Sequence, residues 1–419
     1  MYERTQLANG LRVVTAEMPH TRSATLSIYV GAGSRYEPDE EAGLSHFLEH
    51  LLFKGASRRP TAKQISEAIE SVGGIHNAAT DREVTVYYAK VPSNAAIEVV
   101  DILSDMVRDP VMDPEELEKE RAVIIEELAG IEDNPDELVG LMIDQALWPN
   151  QPMGRNVGGT SESVRSLSLD SIVRYMRRQY VPGNMVLSAA GDIRTSEVIA
   201  AAKRWLGDLP PATPGDWFRA APQNSGKRLS IRHKETEQAH LSLGFPTIAL
   251  DHPDRWAVDL MSTVLGEGMS SRLFLELREE RALVYDVHSY PAGFRDTGAL
   301  MIYAGCDPEN TRTTIEALLG EVARLIQELP AAELKKAKEM ARGRVQLRME
   351  DTRAVSGWMG AQELLRGHIL TIDEVVNLLL QVTVDDVLRV AAEYLRPEKV
   401  VLAAVGPFED ESLFSGLVS

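Results

Sequence analysis

His46 and His50 stand four residues apart in AGLSHFLEHLLFKG (42–55), with Glu49 just before the second of them. On a helix that spacing puts both imidazoles on one face, one turn from each other. Two such rings can grip a single tetrahedral Zn²⁺ at roughly 2.0–2.1 Å each. Glu49 points along nearly the same face, where it can take the proton of an attacking water. His-x-x-Glu-His inverts the commoner His-Glu-x-x-His order of zinc peptidases. The apolar neighbours Leu44, Phe47, Leu48, Leu51, Leu52 and Phe53 would also suit a buried helix with two core histidines. Such a helix would need a polar partner for each buried His and for the Glu. One metal ion partners both histidines and its bound water partners the Glu, so the metal reading is preferred.

Two histidines leave a catalytic zinc one protein ligand short. The only cysteine, Cys306, excludes a Cys-built zinc site and any intrachain disulfide. The acidic stretch that starts at Asp113 offers Glu115, Glu116, Glu118, Glu120, Glu126, Glu127 and Glu132. Glu120 and Glu127 are two turns apart and share a helix face. One could bind metal while the other orients a histidine or the water. Most carboxylates on so acidic a helix form a solvated face, and spacing alone leaves the choice open.

These residues need elements to hold them. Alternating strands around Asn9-Gly10 open the chain, followed by the strand pattern SATLSIYVGAGS. EPDEEAGLSHFLEHLLF reads as one helix with acidic residues in its first turn. An amphipathic helix over 61–72 closes at Gly73-Gly74, and HNAATDREVTVYYAKV alternates as a strand. Asn94 to Val107 reads as a helix, Pro114 starts the long acidic one, and NMVLSAAG (184–191) ends the half as a strand. LPPATPGDWFRAAPQNSGK (209–227), rich in Pro, Gly and small polar residues, is the expected linker.

After it the plan repeats. LDSIVRYMRRQYVPGNMVLSAAG (169–191) matches VDDVLRVAAEYLRPEKVVLAAVG (384–406), and the helix, Pro break and long helix of 91–128 recur in 307–345. The expectation is an α+β fold of two similar domains, 1–208 and 228–419. Each would be a mainly antiparallel sheet with helices packed on one face. Aligned by eye, Asp259, Ser262 and Thr263 stand opposite His46, Glu49 and His50, so the second half keeps the scaffold without the metal chemistry.

The chain has 419 residues and a formal net charge of −19. No basic run stands out, so nucleic acid and membrane surfaces are poor partners. No uninterrupted apolar window is long enough to span a bilayer. The N-terminus lacks the pattern of a signal or transit peptide, and the cytoplasm is the expected location.

HFLEHLLFKG followed by the last Glu of ERAVIIEE (120–127) resembles the pitrilysin family of zinc peptidases, the inverzincins. Within it the likeness is to the mitochondrial processing peptidase β subunit and its short prokaryotic relatives. It covers essentially the whole chain, including GGIHNAATDRE (73–83) and the repeat. The resemblance implies one Zn²⁺ per chain held by His46, His50 and Glu127, with Glu49 as general base and Glu120 as a supporting carboxylate. Opposite Glu120 and Glu127 in the repeat stand Ala337 and Arg344, which agrees with that assignment. Asn77 and Ala78 resemble the family's edge strand that pairs with substrate backbone. Arg278 and Tyr285, in SSRLFLELREERALVYDV, resemble the pair that binds substrate and helps stabilise the tetrahedral intermediate.

The resemblance therefore implies a processing-peptidase-like zinc metalloendopeptidase acting on short or unfolded peptides. Long relatives carry four such domains enclosing a chamber. A chain with two implies a homodimer in which the zinc of one copy faces Arg278 and Tyr285 of the other. The alternative is a non-catalytic structural or peptide-binding subunit of the same fold.

Overall fold

The computed structural model describes residues 2–221 and 228–417. The chain forms two compact units. The first comprises Met1–Leu128, Asn156–Phe218 and Gln346–Thr371; the second comprises Ala129–Arg155, Arg219–Val345 and Ile372–Ser419. Each unit thus takes a segment from the other half of the chain, which a single cut at 209–227 does not describe. Residues 222–227 of the expected linker lie outside the described residues.

In the first unit, β1 (Glu3–Gln6), β2 (Arg12–Glu17), β3 (Ser23–Val30), β4 (Ile75–Thr80), β5 (Thr85–Pro92) and β6 (Met185–Gly191) form one sheet in the order β1-β2-β6-β3-β5-β4. Only β2 and β6 run parallel. The run HNAATDREVTVYYAKV, expected as one strand, is a hairpin: β4 turns into β5 where the Asp81 N–H donates to the Val84 carbonyl, 2.9 Å. Gly33 is required beside this turn, because a Cβ there would lie 2.1 Å from the Asp81 carbonyl oxygen. Arg35, fully buried, spans the same region, with Nη1 2.5 Å from Glu83 Oε1 and Nη2 donating to the Phe218 carbonyl.

The period-two alternation of β3 divides the packing. Ala24, Leu26, Ile28 and Val30 enter the main core with Phe47, Leu48, Leu51, Val99 and Leu103. Thr25, Ser27 and Tyr29 face the other way and meet a helix, Thr352–Arg366, that comes from late in the chain. Its approach is close and partly polar. Thr25 and Thr352 share a hydrogen bond of 2.9 Å, as do Ser27 and Ser356. A Cβ on Gly360 would fall 2.3 Å from the Tyr29 ring. The α+β design is as expected, with one additional helix on the sheet's second face.

The second unit repeats the sheet. β7 (Leu229–His233), β8 (Ala239–Thr247), β9 (Val284–Gly293), β10 (Gly298–Cys306) and β11 (Val401–Gly406) take the order β7-β11-β8-β10-β9, with only β7 and β11 parallel. That is the order of β2-β6-β3-β5-β4. Its added helix is Pro135–Leu147, whose Leu138, Met142, Ile143 and Leu147 pack with Met301, Val401, Ala403 and Val405. Among the described residues no helix is long and apolar enough to cross a membrane.

A π-helix, Phe274–Glu280, carries Arg278 and leads to Ala282, which has φ +49°. For a residue with a Cβ that conformation costs about 1–2 kcal/mol. Glycine relieves it but loses about 0.5–1 kcal/mol of chain entropy. Ala282→Gly is therefore expected to stabilise the protein by up to about 1 kcal/mol, seen as a higher urea midpoint at unchanged slope. A lower midpoint would show that the left-handed turn carries no strain.

Candidate metal centre

The motif helix is shorter than expected, spanning Leu44–Leu52. Gly43 precedes it at φ +91°, where a Cβ would lie 2.4 Å from the Gly158 carbonyl oxygen. The acidic residues expected in its first turn, Asp39–Glu41, instead form a separate 3₁₀ turn. Glu37 serves the helix start. Its buried carboxylate accepts the Gly43 N–H at 2.9 Å and the Ser45 N–H at 2.6 Å, satisfying donors that have no partner inside the helix. Ser45 is held in turn by the Tyr175 hydroxyl, 2.6 Å.

Leu44, Phe47, Leu48, Leu51 and Leu52 are buried, which fixes the helix's rotation and leaves His46, Glu49 and His50 on a half-buried face. The helix Pro114–Asp133 brings Glu127 to them. Glu127 Oε2 is 3.8 Å from His46 Nε2 and 3.6 Å from His50 Nε2. One ligand atom from each of the three residues lies within 4.8 Å of the others. No other trio of His, Cys, Asp or Glu among the described residues gathers donors this way, and Glu126 takes no part.

The donor set fits zinc. His50 Nδ1 is 2.9 Å from Glu120 Oε2, so it serves as the N–H donor and leaves the Nε2 lone pair for a metal. His46 Nδ1 is buried without a hydrogen-bond partner. Burial, reinforced by the neighbouring His50, pushes the His46 pKa down to about 4, so this ring is neutral at pH 7. Two imidazoles and one carboxylate are the donor types that a three-ligand catalytic zinc site uses.

Protonation of His46 is favoured in the unfolded chain, near pH 6.5, over the folded one. Its effect on stability is therefore absent above pH 6.5 and grows as the pH falls toward 4. In metal-free protein, the wild type should lose about 2 kcal/mol relative to His46→Asn between pH 7 and pH 5. Urea unfolding of both chains at the two pH values measures this, and a pH-independent difference would contradict it.

Glu49 sits beside the trio. Burial raises its carboxyl pKa, and a short hydrogen bond from the Thr80 hydroxyl, 2.5 Å, opposes that. Thr80 ends β4, an outer strand of the sheet. Asn77 and Ala78 lie on this strand, paired with Tyr88 and Tyr87 of β5, and the Ala78 N–H is taken by the Asn77 side chain at 2.8 Å. Glu120 is buried, with its other oxygen, Oε1, 2.5 Å from Lys54 Nζ.

Arg278 and Tyr285 belong to the second unit, where the structure brings them together. The guanidinium carbon is 5.3 Å from the Tyr285 ring centre, and Tyr285 is 73% exposed.

Thr80, Lys54 and Glu37 were not among the expected site residues. Lys54 lies inside the quoted motif HFLEHLLFKG, and Thr80 inside GGIHNAATDRE. The partners of Thr80 and Lys54, Glu49 and Glu120, are distant in sequence, so only the fold reveals them; Glu37 reaches just past the 3₁₀ turn to Gly43 and Ser45.

Two family models match consecutive parts of the chain: Insulinase (Peptidase family M16) over residues 12–161 and Peptidase M16 inactive domain over residues 166–341. An uncharacterized zinc protease of Streptomyces coelicolor is 37% identical over 422 residues, covering 97% of this chain and 90% of that one. The uncharacterized zinc protease YmxG of Bacillus subtilis is 36% identical over 408 residues, covering 97% and 98%. The crystal structure of a protease from Helicobacter pylori superposes with a TM-score of 0.90 at 24% identity, covering 97% and 99%. With both halves matched in order and such identity along nearly the whole length of these relatives, the chain belongs to the M16, pitrilysin-like peptidase family.

Proposed function

We propose that this protein is a zinc-dependent endopeptidase that cleaves short or unfolded peptides in the cytoplasm, in the manner of a processing peptidase. The observation that carries the proposal is the meeting of His46 Nε2, His50 Nε2 and Glu127 Oε2 beside the half-buried Glu49. Bound there, one zinc per chain would act as a Lewis acid for the scissile carbonyl and lower the pKa of water toward roughly 7. Glu49 takes a proton from the attacking water and returns it to the leaving amine, while the Thr80 hydroxyl fixes its carboxylate. Glu120 orients the His50 ring. The outer edge of β4 at Asn77 and Ala78 pairs with substrate backbone once the Asn77 side chain releases the Ala78 N–H, which gives affinity with little demand on side-chain identity. Arg278 and Tyr285 supply donors to the developing oxyanion. In this reading they reach the zinc half of a second copy, so the working form is a homodimer with shared sites.

Zinc-loaded protein should cut unfolded, mildly basic peptides at internal bonds and leave a stably folded domain intact, as read by mass spectrometry of the products. Removal of single residues from peptide ends would exclude an endopeptidase.

A further inference from the structure

The two histidines of the metal centre are held unequally. His46 Nδ1 is buried without a partner, whereas His50 Nδ1 is fixed by Glu120 Oε2 at 2.9 Å. The orientation of the ligand set therefore depends on where the Glu120 carboxylate points. That carboxylate is 7% exposed, and its second oxygen lies 2.5 Å from the Nζ of Lys54, itself 25% exposed. Lys54 follows the motif helix in the tight turn closed by its own N–H to the Leu51 carbonyl.

We infer that Lys54 is a positioning residue for the metal centre: by occupying Glu120 Oε1 it commits Oε2 to His50 Nδ1, and so sets how tightly the site holds zinc. The inference rests on the metal-site reading above. Charge-assisted bonds to both oxygens leave the carboxylate no free rotation, and a carboxylate held this way keeps the ring in one tautomer and one orientation.

A purely mechanical role is the competing account, and the repeat makes it concrete. Glu267, opposite Lys54, is paired with Arg344, opposite Glu127, so the second unit ties the same turn to the same long helix with no metal chemistry attached. In the first unit the tie falls instead on Glu120, the carboxylate that also touches His50. A brace alone would affect the stability of metal-free protein. A positioning role affects zinc affinity.

The experiment measures zinc affinity by competition with a chromophoric chelator for full-length wild type, Lys54→Met, Lys54→Arg, Glu120→Gln and the Lys54→Met/Glu120→Gln double variant. Thermal unfolding of each metal-free form is recorded alongside. Lys54→Met should weaken zinc binding about 10–100-fold, the usual range for loss of an outer-shell partner. Lys54→Arg should stay within about threefold of wild type, and the double variant should bind no more weakly than Glu120→Gln alone. If Lys54→Met fails to fold, Lys54→Leu, equally unable to donate to Glu120 Oε1, takes its place with the same expectation. Wild-type affinity in the neutral variant, or full additivity in the double variant, would overturn the role of Lys54. Failure of the wild type itself to bind zinc would instead overturn the metal-site reading.

Discussion

Glu49→Gln is expected to abolish detectable peptide hydrolysis while the protein still binds zinc at wild-type level. Glutamine preserves the length and shape of the side chain and can still accept the Thr80 hydroxyl's hydrogen bond, which in the wild type is 2.5 Å long. It cannot take a proton from water. A positioned general base contributes about 10²–10⁴-fold in rate, or roughly 3–5 kcal/mol of barrier. In the proposed mechanism Glu49 both receives the proton and returns it to the leaving amine, so the loss should fall at the upper end of that range. Its partly buried setting already favours proton acceptance, since desolvation raises its pKa above that of a free carboxylate. The measurement is initial rate on an internally quenched, mildly basic peptide at matched zinc content. Equal turnover by both chains would assign the activity to a contaminant or to another site.

Arg278→Ala should lower turnover by about 10²–10³-fold, the cost of removing one oxyanion donor. The Arg278 side chain is exposed and lies over the Tyr285 ring, 5.3 Å from its centre, so its removal disturbs little of the second unit's core. Zinc affinity should be unchanged, because Arg278 is not among the gathered metal donors. If the proposed homodimer shares its sites between copies, a sharper expectation follows. In an equal mixture of Arg278→Ala and Glu49→Gln chains, random exchange makes half the dimers mixed, and each mixed dimer has one intact site of two. The mixture should recover about a quarter of wild-type turnover although each variant alone is nearly inactive. No recovery after exchange has been shown by a labelled subunit would rule out sites shared between copies.

The residues with unusual chemistry were the most legible in the sequence. His46, Glu49 and His50 sit at helical spacing inside an apolar stretch, and helical geometry alone brings them to one face. Glu127 was open to confusion with Glu126 on spacing alone. The resemblance chose it, and it is the Glu127 carboxylate that meets the imidazoles. The repeat was legible because Pro and Gly recur at matching places, and the second sheet has the order of five of the six strands of the first.

What the sequence hid was the assignment of helices to sheets. The apolar pattern of Pro135–Leu147 and Thr352–Arg366 shows that each has a face to bury, but periodicity says nothing of which sheet receives it. The polar contacts of Thr352 and Ser356 with Thr25 and Ser27 disguised the second helix further, since they resemble a solvated face. The extent of the motif helix was misread because Glu37 acts from before Gly43 rather than within a first turn. The π-helix under Arg278 has no composition signal at all.

The most direct test of a metal-dependent peptidase is to strip the protein of metal and restore zinc stepwise while following cleavage of the quenched peptide. Turnover should be absent without metal, rise linearly as zinc is added, and reach a plateau at one zinc per chain. Stoichiometric zinc binding with no cleavage across a varied peptide library would contradict it and identify a non-catalytic member of the family.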